Sequence, residues 1–116
     1  MSKNKAKGTA AETAVVRWLR DNLHPSLTEH IERRAPQGAH DTGDITGLPG
    51  IVIEVKNHKA HDLPGWLNEL QTEVDNAGAH LGLLVIKKRG TTNPGQWYWL
   101  IDPRHVPNLL THRSSR

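Results

Sequence analysis

The sequence predicts an α/β domain in which two helices pack on a central sheet, with elements in the order αβββαββ. Three observations carry that expectation: an amphipathic stripe over residues 9–23, a second over residues 63–77, and short runs rich in β-branched and aromatic residues around them. At 116 residues and 35% hydrophobic, the chain supports one core and is too short for two ordinary domains.

Taken in order, residues 1–8 carry Lys3, Lys5 and Lys7 with little that is apolar, and are expected to form a basic flexible arm before a single domain over residues 9–110. The first helix follows from Ala11, Val15, Trp18, Leu19 and Leu23 at helical spacing, with Pro25 beyond its end. A strand is expected within residues 27–34. Residues 41–46 and 51–56 flank Gly47-Leu48-Pro49-Gly50, a turn-forming sequence, and read as a hairpin. Asp62 can cap a second helix striped by Leu63, Trp66, Leu67, Leu70, Val74 and Ala77, which Gly78 ends. Residues 81–87 form an apolar run of buried-strand length and residues 96–101 an aromatic strand, leaving a helical turn and a disordered tail over residues 111–116. Alternation puts Trp97 and Trp99 on one face, where they pack against a helix or a second subunit, or stack on bases.

Charge and composition narrow the function classes. Fifteen Lys plus Arg against 12 Asp plus Glu give +3, which suits a polyanionic partner. The absence of cysteine excludes disulfides and thiolate metal ligands and fits a reducing compartment. The longest apolar run, Leu81 to Ile86, falls far short of the ~20 residues that span a bilayer, and no signal-like segment opens the chain. A cytoplasmic protein with no membrane partner is expected.

The chemistry concentrates in Ile51-Val52-Ile53-Glu54-Val55-Lys56. Alternation places Ile51, Ile53 and Val55 on one face and Val52, Glu54 and Lys56 on the other, so a carboxylate and an ammonium project side by side from an otherwise apolar strand. Charges there are costly unless paired or bound to an ion. One account is an ion pair at a sheet edge. The other begins with Asp44, which the hairpin folds back towards Glu54, since converging carboxylates repel unless a divalent cation sits between them. Oxygen-only ligands favour Mg²⁺, with Mn²⁺ able to substitute. Asp44 taken alone is equally a turn carboxylate capping backbone amides of Asp41-Thr42-Gly43-Asp44.

Gly43-Asp44, a hairpin, and Glu54-Val55-Lys56 together resemble the signature of the PD-(D/E)XK nucleases, with Gly where the signature has Pro. Across about residues 7–88 the chain is most similar to the archaeal-type Holliday junction resolvases and their phage relatives, which share Gly8-Thr9-Ala10-Ala11-Glu12 at the start of the first helix. The resemblance implies a restriction-endonuclease-like fold on a mixed central sheet and a structure-selective endonuclease acting on branched DNA, with Holliday junctions as the expected substrate; the alternatives are a nuclease of the same family acting on flaps, forks, single strands or RNA, or a catalytically weak DNA-binding module. It implies metal ligation by Asp44, Glu54, the Val55 carbonyl and Glu12, with Lys56 catalytic, in a homodimer without a nucleotide cofactor. It places a phage-encoded relative in the host cytoplasm. Thr9 to Glu12 is also a capping box, in which Glu12 would instead reach back to the Thr9 amide.

The residues expected to touch DNA are Lys7, Arg33 and Arg34, the loop residues His58 and Lys59, and Lys87 and Lys88 at the end of a strand. His58 and His61 could also suggest zinc, but without cysteine or a second cluster they point to phosphate contact. Gln71 is a further candidate for a polar residue near the metal, against a plain surface position.

Overall fold

The β-branched run that begins at Ile51 has neighbours on both sides, and the rest of the chain is arranged around it. In the computed structural model, which describes residues 3–34 and 41–113, the elements are α1 (Lys3–Asn22), α2 (Pro25–Thr28), β1 (Glu32–Arg33), β2 (Ile45–Thr46), β3 (Ile51–Lys56), α3 (Leu63–Ala77), β4 (Leu81–Ile86), β5 (Tyr98–Leu100) and α4 (Val106–Arg113). The five strands lie side by side in chain order. β3 and β4 run parallel, from Ile51 opposite Leu81 to Lys56 opposite Ile86, and the other neighbours pair antiparallel. A parallel pair requires a crossover, and α3 supplies it. This is a mixed open sheet in an α/β domain, in the expected order with α2 and α4 added.

Each face of β3 meets a different helix. Ile53 and Val55 pack in a core with Val15, Val16 and Leu19 of α1, whereas Val52 packs with Leu70 and Val74 of α3 beneath Leu84 and Ile86. Glu54 and Lys56 share the Val52 face and therefore look towards α3. Trp97 and Trp99 join the α1 side, with the rings of Trp18 and Trp99 5.3 Å apart, so this pair packs against a helix as one of the expectations had it. Their indole N–H groups donate to the carbonyls of Thr91 and Pro94.

α3 begins and ends where the sequence indicates. Asp62 accepts a hydrogen bond from the Gly65 amide at 3.1 Å, and Gly78 closes the helix in the left-handed region at φ +63°. Four other expectations need correction. α1 starts at Lys3 instead of residue 9, because lysine and alanine favour helix even where no apolar face is buried, so the expected basic arm is largely helical. Thr9 is consequently inside the helix and cannot be its N-cap, which removes the capping-box account of Glu12. The strand expected within residues 27–34 shrinks to Glu32–Arg33, since Pro25 opens α2 and His24 caps it by accepting from the Ser26 amide. α4 extends to Arg113, into the expected tail, and residues 114–116 lie outside the described residues. No helix among the described residues is long and apolar enough to cross a membrane.

The backbone at residue 43 calls for glycine. Its φ is +104°, which a proline ring forbids, and an added Cβ would lie 2.7 Å from Val52 Cγ1. Gly8, by contrast, sits inside α1, where an added Cβ would meet nothing within 4 Å. Gly43→Ala is therefore expected to cost about 1–3 kcal/mol. Gly8→Ala is expected to stabilise by about 0.5–1 kcal/mol. Urea unfolding followed by circular dichroism reads both, and shifts of the same sign would contradict this account of residue 43.

Candidate active site

Asp44 is fixed from both sides before its carboxylate does anything. Its amide donates to the Ile53 carbonyl at 2.9 Å and its carbonyl accepts from the Arg34 amide at 2.7 Å, which ties it between β1 and β3. Its Oδ2 then accepts from the Val55 amide at 2.8 Å. The turn-capping role falls to Asp41, whose Oδ1 accepts from the Gly43 amide at 3.0 Å. Asp44 is thus free of that duty and is held beside Glu54.

Glu54 and Lys56 lie on a central strand, which excludes the sheet-edge ion pair. The Lys56 ammonium is 3.3 Å from Glu54 Oε2 and 2.7 Å from Glu69 Oε1. It also stands 5.8 Å above the centre of the Trp66 ring. Sequence reasoning missed Glu69 and Glu73, which are one turn apart on α3 and face β3. The available signal was two acidic residues at i, i+4 along one flank of the Trp66, Leu70 and Val74 stripe.

Glu54, Glu69 and Glu73 each offer a ligand atom, and these atoms lie within 4.8 Å of one another, an arrangement that could hold a metal ion. Glu54 is 5% exposed and Glu73 3%. Glu54 Oε1 and Glu73 Oε1 are both buried without a hydrogen-bond partner. Buried oxygens of this kind carry a desolvation cost that a proton or a cation between them would relieve. The all-oxygen donor set fits a hard divalent ion.

The electrostatics report the same crowding. Burial, then Asp44, then Glu73 push the Glu54 carboxyl far above the usual carboxylate range, against the opposing pull of Lys56. Burial raises Asp44 to about 6, although the Val55 amide favours its ionised form. Burial also raises Glu73 to about 7, with Asp41, Glu69 and Asp44 adding repulsion. Burial pulls Lys56 down, but Glu69 and Glu54 outweigh it and its pKa rises.

Glu12 sits at the margin of this group. Its charge contributes to raising Asp44, while its Oε1 accepts from Arg33 Nε at 3.0 Å. Burial raises its own pKa, with Arg33 opposing. Arg33, expected to touch DNA, is engaged by Glu12 and by the Thr9 hydroxyl. Arg34 is half-buried beside Asp44, and its side chain lines a different cleft, by the hairpin turn. Residues 35–40, which the sequence leads one to expect as a flexible loop, lie outside the described residues.

The other expected DNA-contacting residues fall into two places. Lys7 is exposed on α1, and its carbonyl accepts from Asn57 Nδ2 at 3.4 Å, next to the end of β3. Lys59, Lys87 and Lys88 line one cleft of roughly 320 Å³ together with Arg89, His58 and His61. The rings of His58 and His61 lie 5.4 and 5.7 Å from that of Trp66, so Trp66 joins this cleft to Lys56. Gln71 is elsewhere: it donates to Asp75 and its Oε1 pairs with the His105 ring, apart from the carboxylates.

In comparisons with known proteins, no family model, curated protein or solved structure matches this chain.

Raised carboxyl pKa values have a definite effect on stability. The folded chain retains protons that the unfolded chain releases, so stability falls as pH rises from the ordinary values of 3.8 and 4.5 through about 6 for Asp44 and about 7 for Glu73. In EDTA the melting temperature is expected to drop between about pH 4 and about pH 7, and Mg²⁺ or Mn²⁺ should restore it at the upper end. Glu73→Gln should flatten the profile. A melting temperature that neither pH nor either cation moves would contradict this reading of the cluster.

Proposed function

We propose that the protein is a metal-dependent endonuclease that hydrolyses phosphodiester bonds in branched DNA, with a restriction-endonuclease-like fold. The observation that carries this reading is the meeting of Asp44, held on the Val55 amide, with Glu54 and Lys56 on the same side of a central strand. Asp44 and Glu54 with the Val55 carbonyl, and Glu54 with Glu69 and Glu73, are the groups that would hold Mg²⁺ or Mn²⁺. Glu12 would join the first set once released from Arg33. A bound divalent ion supplies Lewis acidity to a phosphoryl oxygen and lowers the pKa of water.

The protein's own groups account for the rest. Lys56 is charged and shared between buried Glu54 and exposed Glu69, so its ammonium can leave Glu69, which water then solvates, to reach a phosphate oxygen or an attacking water. Glu73 loses its proton near neutral pH, whereas Glu54 holds its own far more tightly and would give it up only to a bound cation. The cleft of Lys59, Lys87, Lys88 and Arg89 would give the DNA backbone a positive surface, joined to Lys56 through Trp66.

Four-way junctions are the branched form implied by the resemblance in sequence. Their two-fold symmetry calls for paired nicks, which a homodimer with two sites would deliver. Sedimentation of the protein with and without junction DNA tests the dimer.

Asp44→Asn, Glu54→Gln and Lys56→Ala are each expected to lower Mg²⁺-dependent cleavage of labelled branched DNA by at least about 10²-fold, with binding in Ca²⁺ retained. Glu73→Gln should raise the metal concentration needed for half-maximal cleavage. Cleavage at the wild-type rate by the first three variants would overturn the proposal.

A further inference from the structure

The basic cleft adjoins a second space that the cleavage chemistry does not use. Tyr98 and His61 belong to both. Beyond them lies an apolar groove of roughly 560 Å³ between the first turn of α3 and the edge strand β5, with Leu63, Ile86 and Leu100 in its walls. Tyr98 is 48% exposed although it is opposite Ile86 in the sheet, and Lys88 Nζ stands 6.0 Å from its ring centre. An exposed aromatic ring thus separates a cleft rich in cations, lined by no acidic side chain among the described residues, from a groove that is mostly hydrocarbon.

That combination matches one ligand chemistry. A nucleotide presents an anionic phosphate on one side and a flat apolar base on the other, a few ångströms apart. A base inside a duplex is stacked and paired, so duplex DNA would bring its phosphates to Lys87 and Lys88 and leave the groove empty. A base in an unpaired strand can enter it and stack on Tyr98, as aromatic platforms in single-strand binders receive bases. Continuity with the carboxylates runs through side chains already in contact: Lys56 over Trp66 at 5.8 Å, and Trp66 against His58 and His61.

We propose that the groove beside Tyr98 is a subsite for an unpaired base of the DNA strand whose phosphates occupy the neighbouring Lys59, Lys87, Lys88 and Arg89 cleft. The inference rests on the nuclease reading and deepens it. The preferred substrate is branched DNA with unpaired nucleotides next to the cut.

Binding without cleavage tests it. Fluorescence anisotropy in EDTA compares a labelled oligothymidylate with an abasic strand of equal length and a blunt duplex. The wild-type protein is expected to bind the oligothymidylate most tightly. Tyr98→Ala should weaken that binding roughly tenfold and leave the abasic strand and duplex unchanged, while Tyr98→Phe should retain it. The double variant Lys87→Gln with Lys88→Gln should weaken all three ligands and lower the salt dependence. Thermal melts confirm that Tyr98→Ala is folded, and Tyr98→Phe keeps the test valid if it is not. Equal wild-type affinity for the oligothymidylate and the abasic strand, or equal losses for both in Tyr98→Ala, would overturn the subsite. Cleavage with Mg²⁺ is read separately. A protein that cuts branched DNA without base dependence has lost the subsite alone, whereas base-dependent binding without cleavage by either metal removes the nuclease reading and leaves a strand-binding groove.

Discussion

The hydrogen bond from the Val55 amide to the Asp44 carboxylate, 2.8 Å long, is the constraint on which the rest of this site depends. Along an antiparallel hairpin, a β3 amide would ordinarily find a carbonyl of the neighbouring strand. Here β2 begins only at Ile45, the Ile53 carbonyl accepts from the Asp44 amide, and the next outward-facing amide of β3 is met by a side chain instead. Replacing a neutral acceptor with a charged one strengthens the bond and fixes the carboxylate's position to within a hydrogen-bond length. It also ends the ladder at the point where Glu54 emerges, so the sheet opens where the acidic groups meet. The positive φ of Gly43 permits this: a side chain at residue 43 would press on Val52 and move Asp44 away from the strand.

Placing this junction in the middle of the sheet has a consequence for the helix above it. Because β3 pairs with β4 in parallel, the connection between them must cross one face, and α3 covers the face carrying Val52, Glu54 and Lys56. An apolar helix there would have left Glu54 and Lys56 buried with only each other. α3 instead presents Glu69 to Lys56, and Glu73 beside Glu54. The first contact lowers the energy of the buried ammonium, and the second raises that of the buried carboxylate. A structure built only for stability would not retain the second contact, since a methionine at residue 73 would remove an unpartnered buried oxygen. The cost is localised on the groups that face one another across β3 and α3, as expected where ionisation is coupled to ligand binding.

The parts of this arrangement that are legible in the sequence are those set by local pattern. The alternation of β3, the stripe and caps of α3, and the Gly47 to Gly50 turn each state their own geometry, and together they place Asp44, Glu54 and Lys56 in one site. Glu69 and Glu73 escape notice because their role depends on the angle at which α3 crosses β3, a tertiary property without a sequence period. The start of α1 is hidden because an apolar stripe marks only the part of a helix that is buried, and lysine and alanine need no burial to be helical. Residues 27–34 mislead because β-tolerant residues following a proline look extended, whereas Pro25 and the His24 side chain turn the chain into α2 first. Arg33 has the look of a phosphate contact and is committed to Glu12, a pairing between residues 21 apart in the chain that no local pattern announces.

The charge distribution also constrains what a phosphate meets at this surface. Asp41, Asp44, Glu54, Glu69 and Glu73 crowd together around Lys56, which stands over Trp66, while Lys59, Lys87, Lys88 and Arg89 line the cleft whose His58 and His61 rings also meet Trp66. A polyanion is drawn to the cationic cleft at long range, because exposed cations act over about a Debye length. It is repelled by the carboxylates at short range for as long as they are ionised and uncompensated. Protons can compensate them, but a protonated carboxyl is a poor ligand and a weak base. A divalent ion compensates them and leaves them ionised. On the nuclease reading Asp44, Glu54, Glu69 and Glu73, when ionised, would repel a phosphate beside Lys56, and a cation held by them would supply the charge that offsets this repulsion.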